Sequence, residues 1–154
     1  MQHTCNHPGL DNVDGKHYFK ISNDFQTGEA TSDAFYLPTQ IDRITFLRSG
    51  GSDSGSGFFL HLLKNDEVLC KVEDGKDTNV FFEQECKGLS RYAGEAVYIC
   101  LIDKQKSIWG KVLVDSLHLR NQFNEDLQHS GVAKTPPSAA PDCRLLAVHA
   151  KAVM

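Results

Sequence analysis

The side chains best suited to holding a ligand lie between Arg48 and Trp109. Trp109, the only tryptophan of the chain, offers a flat aromatic face for the apolar side of a sugar ring. Asp53, Ser52, Arg48, His61 and Arg91 offer the polar groups that bind hydroxyls in pairs. Together they predict a carbohydrate site with Trp109 as platform and the Ser52–Ser56 loop as polar wall. Trp109 has a second reading, as a plug at the end of a hydrophobic core. Phe58 and Phe59, and again Phe81 and Phe82, are sequence neighbours. On a strand, successive side chains point to opposite faces, so one of each pair belongs to the core and the other to the opposite face.

Catalytic patterns are not legible. The sequence has no G-x-S-x-G, no H-E-x-x-H and no histidine cluster at metal spacing. Glu83 and Glu85 share one strand face and read as a solvated edge, not as two carboxylates facing across a cleft. The run Gly50-Gly51-Ser52-Asp53-Ser54-Gly55-Ser56-Gly57 lacks the Gly-Lys-Ser/Thr ending of a phosphate loop and leads into a strand pattern, which excludes that reading. The expectation is a protein without catalytic residues.

The elements that must position these side chains are strands. His17–Ile21, Asp33–Leu37, Gln40–Leu47, Phe58–Leu63, Glu67–Val72, Asn79–Cys86, Ala96–Ile102 and the run from Val112 to Leu119 are apolar or alternating segments separated by turn residues. Lys64-Asn65-Asp66 is a hairpin signal, and Thr27–Ser32 reads as turn chemistry. Turn signals recur at the spacing of sandwiches and barrels, and no amphipathic helix intervenes. The pattern predicts an all-β, two-sheet antiparallel β-sandwich of about eight strands. Residues 1–14 read as an irregular lead-in, 15–121 as the sandwich domain, and 122–154 as a flexible C-terminal tail. The tail contains Thr135-Pro136-Pro137-Ser138-Ala139-Ala140-Pro141, a linker composition.

A chain of 154 residues fits one domain, which buries about 70% of its unfolded surface. With 16 basic against 20 acidic residues, the formal net charge is −4, and no Lys/Arg run tracks a phosphate backbone, which argues against nucleic acid. No apolar run reaches the roughly 20 residues of a membrane span, so membrane insertion is not expected. No signal peptide is recognisable at the N-terminus. The placement expected is extracellular or secreted, as part of a larger protein, with the cytoplasm as the alternative. Among the five cysteines, Cys70 and Cys86 fall on neighbouring strands able to pair, while Cys100 reads as a buried free thiol.

Four segments, in order, resemble the galactose-binding-like jelly roll of carbohydrate-binding modules and glycoside-hydrolase accessory sandwiches. They are Thr27-Gly28 with Ser32–Leu37, the strand Arg43–Ser49 running into Gly50-Gly51, the segment Leu89–Ile99 followed by Leu101-Ile102-Asp103, and Ile108-Trp109-Gly110 with Val114-Asp115. MAM-type adhesion domains share a similar ending. The resemblance implies a jelly-roll sandwich with one structural Ca2+, for which Asp115 is the ligand carried over. Its partners would be backbone carbonyls and early acids such as Asp11, Asp14 or Asp24. Where many members of the family have a second acid, this chain has Ser116. The function implied is a non-catalytic binding module for a glycan or glycoprotein. The alternative is a protein–protein interaction or adhesion domain of the same fold without a small ligand.

Overall fold

The computed structural model describes residues 3–5, 17–20, 27–51, 56–73, 75–104 and 112–127. As the strand pattern predicts, the chain is all-β. In chain order the strands are β1 His3–Cys5, β2 His17–Lys20, β3 Gly28–Thr31, β4 Phe35–Tyr36, β5 Arg43–Gly50, β6 Gly57–Leu62, β7 Val68–Val72, β8 Thr78–Cys86, β9 Ala96–Asp103, β10 Val112–Arg120 and β11 Asp126–Leu127. A 3-10 turn at Ser90–Tyr92 precedes β9. Among the described residues, no helix is long and apolar enough to cross a membrane.

Two antiparallel sheets form. One has the order β1-β2-β10-β5-β8, with β11 also paired to β10, and the other the order β3-β9-β6-β7, with β4 also paired to β9. The main core lies between them and includes Ile44, Phe46, Phe58, Leu60, Val97, Ile99, Leu101, Val112 and Val114. Phe46 of β5 and Phe58 of β6 stack across the sandwich with ring centroids 4.4 Å apart. Each such ring contributes several kcal/mol, since truncating a buried Phe to Ala costs about 3–5 kcal/mol. At one edge, the Cys70–Cys86 disulfide ties β7 of one sheet to β8 of the other, a pairing the sequence allows without specifying.

The adjacent phenylalanines divide as their alternation requires. Phe58 enters the main core, while Phe59 packs with Cys100 and Ile102 in a separate cluster. Phe81 joins Leu113 and Leu47 in a third cluster, and the half-buried Phe82 lies under the Lys76 ammonium at 4.8 Å.

Three features differ from the sequence reading. Gly28–Thr31 reads as a turn but forms β3, because Ala30 is small enough to enter the core and the segment pairs with β9 from Gly28↔Asp103 to Thr31↔Cys100. Strand β1 lies in the stretch read as an irregular lead-in, and β11 in the stretch read as tail. Cys100 is fully buried as expected, yet it is disulfide-bonded and not a free thiol.

Candidate functional site

Strand β10 begins regularly. Val112 and Val114 enter the main core, Leu113 faces the opposite side, and Val112 to Asp115 pair in step with Gly50 to Leu47 of β5. The register then shifts: Asp115 opposes Leu47, but His118 opposes Thr45, so β10 carries one residue more than its partner. Ser116 sits in this bulge with φ of 51°, a left-handed conformation that a residue with a Cβ adopts only at a cost. The Asp115 carboxylate accepts the Ser116 amide N–H at 2.8 Å, a local side-chain-to-backbone bond of the kind Asp supplies in irregular backbone. Bulges of this type redirect side chains, and strained backbone concentrates at functional sites.

The redirected Ser116 hydroxyl lies 3.0 Å from His118 Nε2. On the other side of the ring, His118 Nδ1 lies 3.1 Å from Asp126 Oδ1. An ionised carboxylate only accepts hydrogen bonds, so the neutral imidazole places its proton on Nδ1 and leaves Nε2 to accept from the serine hydroxyl. The His118 side chain is 34% exposed and that of Asp126 53%, so the group is open to solvent on the β10–β11 surface.

Asp126 reaches this position through a tight hairpin. It opposes Arg120 in the β10–β11 ladder, which makes His118 its diagonal neighbour on the same face, within side-chain reach. Asn121 organises the turn: its Oδ1 accepts the N–H groups of Phe123 and Glu125, both at 2.9 Å, and its Nδ2 donates to Glu125 Oε1 at 3.0 Å. Asn124 takes a φ of 64°, a conformation Asn tolerates better than most residues. Arg43 of β5 then holds the hairpin down. Its guanidinium donates to Asn124 Oδ1 at 2.8 Å and pairs with Asp42 at 2.7 Å and Glu85 at 3.3 Å.

Beside the hairpin is a cleft of about 390 Å³ between residues 39–42, Ser90 and residues 121–123. Phe123 stands at its rim with 72% of its surface exposed.

Of the ligand-binding residues singled out in the sequence, the three that are described, Arg48, His61 and Arg91, do not converge. Trp109, Asp53, Ser52 and Asp14 lie outside the described residues. Arg48 is fully buried on β5 and donates to the Gly51 carbonyl at 2.8 Å. His61 stacks on Tyr98 and meets the Asp66 carbonyl through Nδ1 at 3.1 Å. Arg91 is exposed in the 3-10 turn, over the Tyr92 ring. Each of the three packs with a different set of neighbours. Asp115, carried over as a Ca2+ ligand, serves Ser116 through Oδ1. Among the described residues, no group of three or more His, Cys, Asp or Glu side chains is placed to hold a metal ion.

No family model matches the sequence, and no curated protein matches it. Among solved structures, a cyclase from Fischerella sp. TAU is similar at 20% identity with a TM-score of 0.43, covering 75% of this chain and 70% of that one. A Stig cyclase from the same organism, in complex with (3Z)-3-(1-methyl-2-pyrrolidinylidene)-3H-indole, is similar at 20% identity with a TM-score of 0.44, covering 75% of this chain and 71% of that one. A fragment comprising domains CD of a third protein is similar at 9% identity with a TM-score of 0.37, covering 79% of this chain and 62% of that one.

The two cyclases correct the functional expectation. Two of the three similar structures are cyclases, one with a ligand bound, and this is the finding against the expected non-catalytic glycan module and the expected lack of an enzymatic role. At these scores the likeness assigns this chain neither substrate nor reaction. No contiguous motif marks Ser116, His118 and Asp126, which meet only because a bulge and a hairpin bring them together. The available signal was Ser-x-His within one strand, followed by a turn-forming Asn121-Gln122-Phe123-Asn124 and an acid.

Proposed function

We propose that the chain is a hydrolase of the serine-nucleophile class, acting on an ester or similarly activated acyl group. The observation that supports this is the continuous line from Ser116 Oγ through His118 to Asp126, at 3.0 Å and 3.1 Å. A nucleophile and base within hydrogen-bond reach, with the base oriented by a third group, is the arrangement such catalysis requires.

Ser116 Oγ attacks the acyl carbon as its proton passes to His118 Nε2. Asp126 keeps the imidazole in the required tautomer and stabilises the imidazolium that forms. When the tetrahedral intermediate collapses, the bond from carbonyl carbon to leaving group breaks and the leaving group takes the proton from His118. Water then attacks the Ser116 ester, its proton going to the same nitrogen, and the acid is released with Ser116 restored. The left-handed backbone at Ser116 lifts the hydroxyl out of the regular strand, and the open His118 side lets a substrate approach.

The test is turnover of p-nitrophenyl acetate and butyrate by the full chain and by Ser116→Ala, His118→Ala and Asp126→Asn. Saturable hydrolysis lost in the first two variants supports the reading. Hydrolysis no faster than free imidazole, or unchanged in Ser116→Ala, refutes it.

A further inference from the structure

The cleft beside the β10–β11 hairpin has no part in the proton relay, and its chemistry specifies a ligand of its own. Its volume of about 390 Å³ lies within the range of small-molecule sites, roughly 300–1,000 Å³. Its floor includes the apolar Ile41, which is 2% exposed. Its rim is the Phe123 ring, exposed and yet held on a fixed turn by the bond from its N–H to Asn121 Oδ1. A large aromatic face on a rigid turn, at the mouth of a cleft, is a stacking platform for a flat ring.

The polar wall is uncharged in effect. Asp42, the acid in the lining, is engaged by the Arg43 guanidinium at 2.7 Å. Asn121 is committed to the turn, which leaves the polar side chains of Gln40, Gln122, Thr39 and Ser90. All four are exposed, and among the described residues none has its side-chain polar atoms in a hydrogen bond. A carboxamide presents a donor beside an acceptor, and that pair is complementary to the adjacent acceptor and donor on the edge of a nitrogen heterocycle. An ionic ligand would find no unpaired opposite charge here.

We propose that this cleft binds an uncharged, planar nitrogen heterocycle of nucleobase type, stacked on Phe123 and read along its edge by Gln40 and Gln122. The inference is independent of the hydrolase reading, since it concerns binding and not turnover.

The experiment is an amide NMR titration of the full chain with adenine, with uracil, and with benzyl alcohol as a ring that lacks the paired edge. The expected result is saturable shifts at Gln40, Gln122 and Phe123 with a heterocycle, and weaker binding of benzyl alcohol. Phe123→Ala should weaken heterocycle binding roughly tenfold or more, the range of a lost base–aromatic stack. Gln122→Ala should weaken it without abolishing it. Ser116→Ala should bind as the wild type does, so a loss of turnover in that variant leaves this site standing. No saturable shift up to the solubility limit, equal affinity in Phe123→Ala, or equal affinity for benzyl alcohol would each overturn the proposal.

Discussion

Ser116 and His118, separated by one residue on β10, meet hydroxyl to imidazole at 3.0 Å because the strand bulges between them. A regular strand would carry both side chains on one face about two residue rises apart, near 6.8 Å along the strand. The left-handed Ser116 and the extra residue close that distance. Asp126, on the far side of the ring, converts the contact into a relay.

If the three residues act as one unit, removing any of them disables it. Ser116→Ala and His118→Ala should each lower kcat/KM for p-nitrophenyl acetate by about a hundredfold or more. The double variant should be no worse than either single one, because groups acting together are grossly non-additive. Asp126→Asn should lower kcat with little change in KM. Steady-state kinetics on the four variants checks this.

The bulge geometry predicts a conflict between stability and activity at Ser116. Gly adopts φ near 51° at no steric cost, whereas Ala keeps the strain and loses the hydroxyl. Ser116→Gly should therefore be more stable than Ser116→Ala by about 0.5–1 kcal/mol, with both inactive. Urea denaturation of the two proteins measures the difference.

Arg43 is a positioning residue for the hairpin. Arg43→Ala removes the bond to Asn124 and the pairs with Asp42 and Glu85. These contacts are partly exposed, so the loss of global stability should be modest, about 1 kcal/mol. Hydrogen exchange across residues 121–127 should quicken and kcat should fall several-fold, while KM holds. Lys at this position should not restore kcat, because it lacks the guanidinium fork.

The Cys70–Cys86 bridge closes a loop with a sequence separation of 16 residues. In the chain-entropy account a loop of this size contributes about 3 kcal/mol. The Cys70→Ala/Cys86→Ala variant should lose about that much in guanidinium denaturation, and the sheet edges at β7 and β8 should exchange faster.

The fold was legible because its signals are local. Continuous apolar runs mark β6 and β9, Lys64-Asn65-Asp66 marks the β6–β7 turn, and the paired phenylalanines divide between faces as a period of two demands. The eight segments read as strands correspond to β2 and to β4 through β10, and the structure adds β1, β3 and β11. β3 was missed because Gly, Ala and Thr have weak strand signals, and pairing with β9 overrides them. β11 has two residues, too few for any periodicity, and exists through its hairpin with β10.

The candidate site was not legible for the same reason. Ser116, His118 and Asp126 are ordinary residues in sequence, and their relation depends on a one-residue register shift and on Asn121 ordering a turn. The residues that looked chemical, Arg48 and His61, are drawn into packing: one is buried on β5 and the other is stacked on Tyr98. Residue type suggested a ligand-binding role for them, but burial and neighbours determine what a side chain does.

The central claim is that Ser116 is a nucleophile activated by His118. The most direct measurement is labelling of the full chain with a fluorophosphonate, followed by peptide mass spectrometry. The account predicts one adduct on Ser116, formed in the wild type and abolished or slowed at least a hundredfold in His118→Ala. No adduct, an adduct on another serine, or labelling of Ser116 at the same rate without His118 would contradict it.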